Sequence, residues 1–209
     1  MPEPFQIVCS LAVPLLVPDI DTDVITPMRR MGGGLGGRGL DYYAFESLRY
    51  IGGDGDRGEP NPACPLNDPE LALAQVLLAG ANFGSGSSRE TAPMAIAMLG
   101  FRVLIAPSFG DIFYANCFQQ GLLPIVLPET TVAELACWQV ELQVDLSEQT
   151  ITPIGAESIP FEVNPLRKIC LLEGVDFIGL AVARSDDISR YQLQARRETP
   201  WIFAVENAS

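Results

Sequence analysis

The chain has 209 residues, 48% of them hydrophobic, with 26 acids against 13 bases and a formal charge of −13. That is enough apolar material for one sizeable core and excludes the disordered classes, while the acidic balance, with no concentrated basic face, excludes nucleic acid as a partner. There is no histidine, so Ser-His-Asp triads, Cys-His dyads and imidazole acid–base chemistry are excluded too. All bases but Lys168 are arginine, a bias that suits either codon usage or the gripping of carboxylates by a planar fork.

Taken in chain order, "FQIVCSLAVPLLV" (5–17) is β-branched and aliphatic and predicts one or two strands up to Pro18. The opening residues lack a basic start and a long apolar run, which predicts neither signal peptide nor membrane span and gives the cytoplasm as the expected location. "DIDTD" (19–23) sets Asp19, Asp21 and Asp23 at alternate positions. In an extended segment they share one side; a Ca²⁺ loop has that spacing, but the glycine and closing glutamate of an EF-hand are missing, and a solvated turn fits equally. Six of the eight residues from 32 to 39 are glycine, which predicts a mobile loop over about 28–40. A second long loop covers about 51–70.

From residue 71 the pattern alternates. "AQVLLAG", "RVLIAP" and "LPIVLP" are short apolar strands, separated by helices "SRETAPMAIAMLG" and "SFGDIFYANCFQQG", each ended by a glycine. This βαβαβ run predicts a parallel-strand core. Beyond it come a helix in "TTVAELACWQV", a hairpin turning at 147–149, and a helix at "NPLRKICLLEG" with Asn164 as its cap and Pro165 in its first turn. A buried strand in "DFIGLAVA" and a closing helix over about 185–198 complete a single α/β domain over 1–209. Cys9, Cys64, Cys117, Cys137 and Cys170 show no CxxC pair, so no disulfide framework and no metal site are expected within the chain.

The chemistry concentrates in "ANFGSGSSRE" (81–90). Gly84 and Gly86 let the backbone bend and approach a ligand, Ser87 and Ser88 are placed where a helix starts, and Arg89 adds a cation; together they predict an anion cradle. An ordinary turn capped by Ser88 is the plainer alternative. A P-loop is excluded for want of Gly-Lys-Ser/Thr, and a dinucleotide fingerprint for want of a third glycine and of an acid after the next strand. Phe109, Phe113 and Phe118 recur at helical spacing and are expected in the core; Asn116 is open between site and surface.

"DIDTDVITP", "NFGSGSSRE" and "IAPSFGDIFYANCFQQGLLPI", in this order, resemble the small-subunit family of 3-isopropylmalate dehydratase (isopropylmalate isomerase), in the aconitase superfamily. The resemblance runs from about residue 13 to 180, with a similar tail in "DDISRYQLQARRETPW". It implies a swivelling β/β/α domain that caps a separate large subunit, the partner carrying a 4Fe-4S cluster, and a hydro-lyase reaction on a small hydroxy diacid. It implies Ser87 as the proton-abstracting base, Ser88 and Arg89 as substrate-binding, Arg38 as a substrate-binding arginine in the glycine-rich loop, and Asp23, Gly84 and Gly86 as supporting residues, with no metal held by this chain. Asp23 is expected to orient an arginine or a loop. Thr91 stands where the family usually has histidine, and Ser85 where it commonly has cysteine. A paralogue for a related diacid of the dimethylmalate, citraconate or homoaconitate type stays open, as does a non-catalytic carboxylate- or phosphate-binding module.

Overall fold

The computed structural model describes residues 3–31, 38–52, 57–182 and 184–207. The N-terminal apolar run breaks at Leu11 into β1 (Val8–Ser10) and β2 (Ala12–Leu15). One-turn helices follow: α1 (Thr22–Ile25), α2 (Met28–Met31), α3 (Leu40–Tyr43) and α4 (Glu46–Arg49). The expected loop over 28–40 is therefore partly helical, and its glycine-rich centre, 32–37, lies outside the described residues. The loop over 51–70 also holds local structure, a ribbon of β3 (Tyr50–Ile51) and β4 (Glu59–Pro60) and 3₁₀ turns at Pro65–Asn67 and Pro69–Leu71.

Next come β5 (Val76–Ala79), α5 (Thr91–Met98), β6 (Val103–Ala106), α6 (Asp111–Gln119) and β7 (Leu123–Val126). They are followed by α7 (Glu129–Trp138), the hairpin of β8 (Leu142–Asp145) and β9 (Thr150–Pro153), β10 (Ile159–Pro160) and α8 (Pro165–Glu173). Asn164 caps α8 as its sequence predicts: its Oδ1 accepts from the amides of Leu166 (3.0 Å) and Arg167 (3.4 Å).

β2, β5, β6 and β7 form, in that order, a sheet that is parallel throughout. Its two outer strands carry Pro14 and Pro124, positions where a missing amide costs no interior ladder bond. β1, β8, β9 and β10 form a second, antiparallel sheet. β5 and β6 are buried at every residue, because both faces of the parallel sheet are covered. Val76, Leu78, Val103, Ile105, Leu123 and Ile125 pack with Val8, Leu142, Val144 and Ile151 of the antiparallel sheet. The alternate residues Leu77, Ala79, Leu104 and Ala106 pack with Ile25, Phe45, Ile96 and Phe113 from the helical side. This is the α/β architecture expected, sheet on sheet on helices around a parallel core.

The chain divides into two compact units, one ending at Gly174 and one beginning at Val175, where the sequence predicts one domain. The second unit contains α9 (Phe177–Val182), α10 (Ser185–Glu198) and a 3₁₀ stretch, Pro200–Asn207. The buried strand expected at "DFIGLAVA" is a helix instead, with Ile178 and Val182 largely exposed; an apolar run this short does not distinguish strand from helix by periodicity. Among the described residues no helix is long and apolar enough to cross a membrane.

Candidate active site

The site forms where β5 and β6 end. Leaving β5, the chain runs through residues 80–90 before α5 begins; leaving β6, it runs through Ser108, Phe109 and Gly110 into α6. The two segments are stitched together: the Phe83 amide donates to the Ser108 carbonyl (3.1 Å), the Gly110 amide to the Phe83 carbonyl (2.9 Å), and the Asn82 amide to Ser108 Oγ (2.8 Å). Gly84 has φ +72°, and a β-carbon there would fall inside the ring of Phe113; one on Gly110 would lie 2.7 Å from the Gly84 carbonyl oxygen. Only glycine permits both the left-handed turn and this approach.

Between the segments lies a cleft of about 410 Å³, lined by Asn82, Gly84, Ser85, Gly86 and Ser87 on one side and by residues 109–113 on the other. One wall is short and polar. The opposite wall pairs the apolar Phe109, Ile112 and Phe113 with the first turn of α6, whose N-cap residue, Gly110, has no side chain to bond the turn's amides and whose first residue, Asp111, sets a carboxylate on the cleft; such a helix start favours a negative group, and Asp111 is one already in place. The field expected from a helix beginning at Ser87 and Ser88 is thus displaced. α5 begins at Thr91 with Glu90 at its N-cap position, so neither serine caps it, and the helix start facing the cleft is that of α6.

Ser87 is exposed on the cleft, and its hydroxyl makes no hydrogen bond among the described residues. Its backbone, by contrast, is held: Thr22 Oγ1 donates to the Ser87 carbonyl (3.0 Å), and the Thr22 amide donates to the Ser85 carbonyl (2.9 Å). Ser88 is exposed and does not line the cleft. Arg89 turns toward α1, where its Nη1 donates to Asp23 Oδ1 (2.7 Å) and to the Thr26 carbonyl (3.2 Å). Asp23 also accepts from the Met28 amide (3.0 Å). That amide bond first, and the guanidinium second, hold the Asp23 carboxyl below the usual carboxylate range.

The three aspartates do not share a side, because the segment is not extended. Asp19 has φ +56° and accepts from Asn82 Nδ2 (2.8 Å); Asp21 caps α1 through the amides of Asp23 and Val24; Asp23 lies within α1 and meets Arg89. Arg38 stands apart from Ser87 in the contacts described. Its guanidinium lies 4.2 Å from the Tyr42 ring centroid and donates to Tyr43 Oη (3.1 Å), while neighbouring Gly39 abuts Met98, at the other end of α5. Phe113 and Phe118 are core residues as expected, whereas Phe109 is only partly buried and lines the cleft. Asn116 is buried, with Nδ2 lacking a hydrogen-bond partner, and is not among the cleft residues.

Sequence reasoning missed Thr22, whose signal was masked by the acids on either side of it, and it missed the first turn of α6 as a wall of the cleft. The glycine immediately before "DIFYANCF" is the signal that marks this turn as an uncapped helix start. Among the described residues no three His, Cys, Asp or Glu side chains converge as a metal site requires.

The family profile of the aconitase C-terminal domain matches residues 20–130, more than half of the chain. The chain is 42% identical over 215 aligned positions to the 3-isopropylmalate dehydratase small subunit of Saccharophagus degradans, covering 96% of this chain and 98% of that one. The chain belongs to the 3-isopropylmalate dehydratase small-subunit family. The small subunit of Rhodospirillum centenum is 43% identical, with 95% and 98% covered. The crystal structure of a 3-isopropylmalate dehydratase from Methanocaldococcus jannaschii superposes with a TM-score of 0.63 at 25% identity, covering 88% of this chain and 99% of that one. In this member of the small-subunit family, Thr91 opens α5 and its Oγ1 lies 3.3 Å from that of Thr26.

Proposed function

We propose that the chain is the small subunit of a two-chain hydro-lyase that interchanges 2-isopropylmalate and 3-isopropylmalate by loss and re-addition of water, a step of leucine biosynthesis. A large subunit supplies the remaining half of the site, including a 4Fe-4S cluster whose contribution is Lewis acidity toward the substrate's hydroxyl and carboxylate. This chain supplies the proton-handling half. Ser87 Oγ takes the proton from the carbon next to a substrate carboxylate as the alkene forms, and returns it in the reverse direction.

A serine hydroxyl is a weak acid, so the reaction needs an environment that stabilises its alkoxide. The uncapped first turn of α6, across the cleft from Ser87, presents amides but also the Asp111 carboxylate, so the stabilising charge is left to the large subunit and to Arg89, which Asp23 holds two residues along the chain. Ser88 and Arg89 are proposed to meet a substrate carboxylate, Arg38 to approach the substrate from the glycine-rich segment, and Asp23 to orient Arg89, with Gly84 and Gly86 shaping the turn. Phe109 and Ile112 give the cleft an apolar wall suited to a branched alkyl group.

The observation that carries the reading is Ser87 itself: an exposed hydroxyl with no partner among the described residues, on a backbone fixed by its neighbours, opening on a cleft that joins polar and apolar walls. Reconstitution with the large subunit tests it. Ser87→Ala is expected to lower kcat by about 10²- to 10⁴-fold, the range for removal of a general base; turnover at the unsubstituted rate overturns the assignment.

A further inference from the structure

The geometry points to Thr22 as a positioning residue for the Ser87 base: its buried hydroxyl and amide fix the backbone that aims Ser87 Oγ into the cleft. The inference rests on the reading of Ser87 just given. Thr22 is 1% exposed, and its two donors both cross to the serine loop, the amide to the Ser85 carbonyl (2.9 Å) and Oγ1 to the Ser87 carbonyl (3.0 Å). They bracket Gly86, which has φ +92°. A residue free to rotate in that way gives the loop no stiffness of its own, so the carbonyls on either side of it are the points at which restraint acts.

Thr22 is itself held. Thr26 Oγ1 donates to the Thr22 carbonyl (3.2 Å), and Thr26 Oγ1 and Thr91 Oγ1 are 3.3 Å apart. A hydroxyl has one proton to give. With that of Thr26 directed to Thr22, Thr91 is the donor to Thr26. The circuit is then closed: Thr91 to Thr26, Thr26 to the Thr22 carbonyl, Thr22 to the Ser87 carbonyl, and the chain from 87 back to 91. Threonine at 91, in place of the family's usual histidine, completes this ring with a group of matching size and polarity.

Misdirection of a reacting atom by about 1 Å costs about 10²-fold in rate, and the assay uses the reconstituted two-subunit enzyme with 2-isopropylmalate. Thr22→Val preserves shape and amide but removes the hydroxyl; it is expected to lower kcat by about ten- to a hundredfold while KM stays within about twofold. Thr22→Ser, which restores the donor, is expected to recover most of the lost kcat. A Thr22→Val enzyme with kcat within about twofold of the unsubstituted one overturns the proposal, as does Thr22→Ser being equally defective, which would assign the effect to the methyl group. If Thr22→Val fails to assemble, the comparison of Thr22→Ala with Thr22→Ser, which differ by the hydroxyl alone, takes its place under the same criteria. Ser87→Ala in the same assay separates the two levels: inactive Ser87→Ala beside fully active Thr22→Val rejects the positioning role alone, and active Ser87→Ala rejects both.

Discussion

Two polar regions, both made largely by residues before β5 and the turn after it, solve opposite problems. Around Glu46 the described arginines are all engaged. The Glu46 carboxylate, 5% exposed, receives Arg29 and Arg30; Arg30 also lies over Tyr43, and Tyr42 is met by both Arg38 and Arg57, at 4.2 and 3.7 Å from its centroid. At the Ser87 loop the side chains are short and the restraints fall on the backbone, through Thr22, Asp21 and the 108–110 segment. The first arrangement fixes side chains by pairing them. The second fixes a main chain so that one side chain is left for an incoming molecule, which is the pattern expected where charge is to develop during a reaction.

The comparison is sharpest when the two regions are broken separately. Ser87→Ala has the largest expected functional effect, the 10²- to 10⁴-fold loss in kcat given above, and is expected to leave the unfolding free energy within about 0.5 kcal/mol of the unsubstituted value, as for exposed positions in general. Glu46→Ala is expected to reverse that profile. It removes the carboxylate that receives Arg29 and the largely buried Arg30 and costs about 3 kcal/mol, read by urea unfolding. Gly84→Ala strikes the loop's frame, combining a left-handed φ with intrusion into the Phe113 ring; about 2–4 kcal/mol is expected, with activity falling alongside stability. Asn164→Ala removes only the cap of α8 and should cost about 1 kcal/mol.

Acid acts on a carboxylate in each region. The Glu46 carboxyl is held below its ordinary value of 4.5, first by Arg30, and Asp23 below 3.8, first by the Met28 amide. Because the folded-state values are lowered, the stability these groups contribute is complete above the ordinary values. It is lost as pH falls through them toward the folded ones. Thermal unfolding followed from neutral pH down to about pH 3 should therefore show a decline that Glu46→Gln flattens and Ser87→Ala leaves unchanged.

The parallel core was legible because its strands are buried on both faces: "VLLA" and "VLIA" have no polar residue to place, and glycines end the intervening helices. The Asn164 cap was equally legible, since asparagine followed by proline admits few other roles. What the sequence hid were effects of distant partners. Ser87 and Ser88 resemble a helix start by composition, yet bonds from Thr22, 65 residues away, hold the segment out of the helix until Thr91. The aspartates at 19, 21 and 23 suggest an extended acidic edge, but Asp19 turns aside at φ +56°, Asp21 caps α1 and only Asp23 enters it. In "DFIGLAVA" no polar residue interrupts the run to reveal a period, so helix and strand were indistinguishable.

The prolines on β2 and β7 have a consequence for assembly. A strand laid against either outer rim of the parallel sheet would meet a ring where it needs an amide donor, so the sheet resists being lengthened by a neighbour. A chain that joins this one at the parallel sheet is thereby steered away from backbone annealing and toward recognition by side chains and turns.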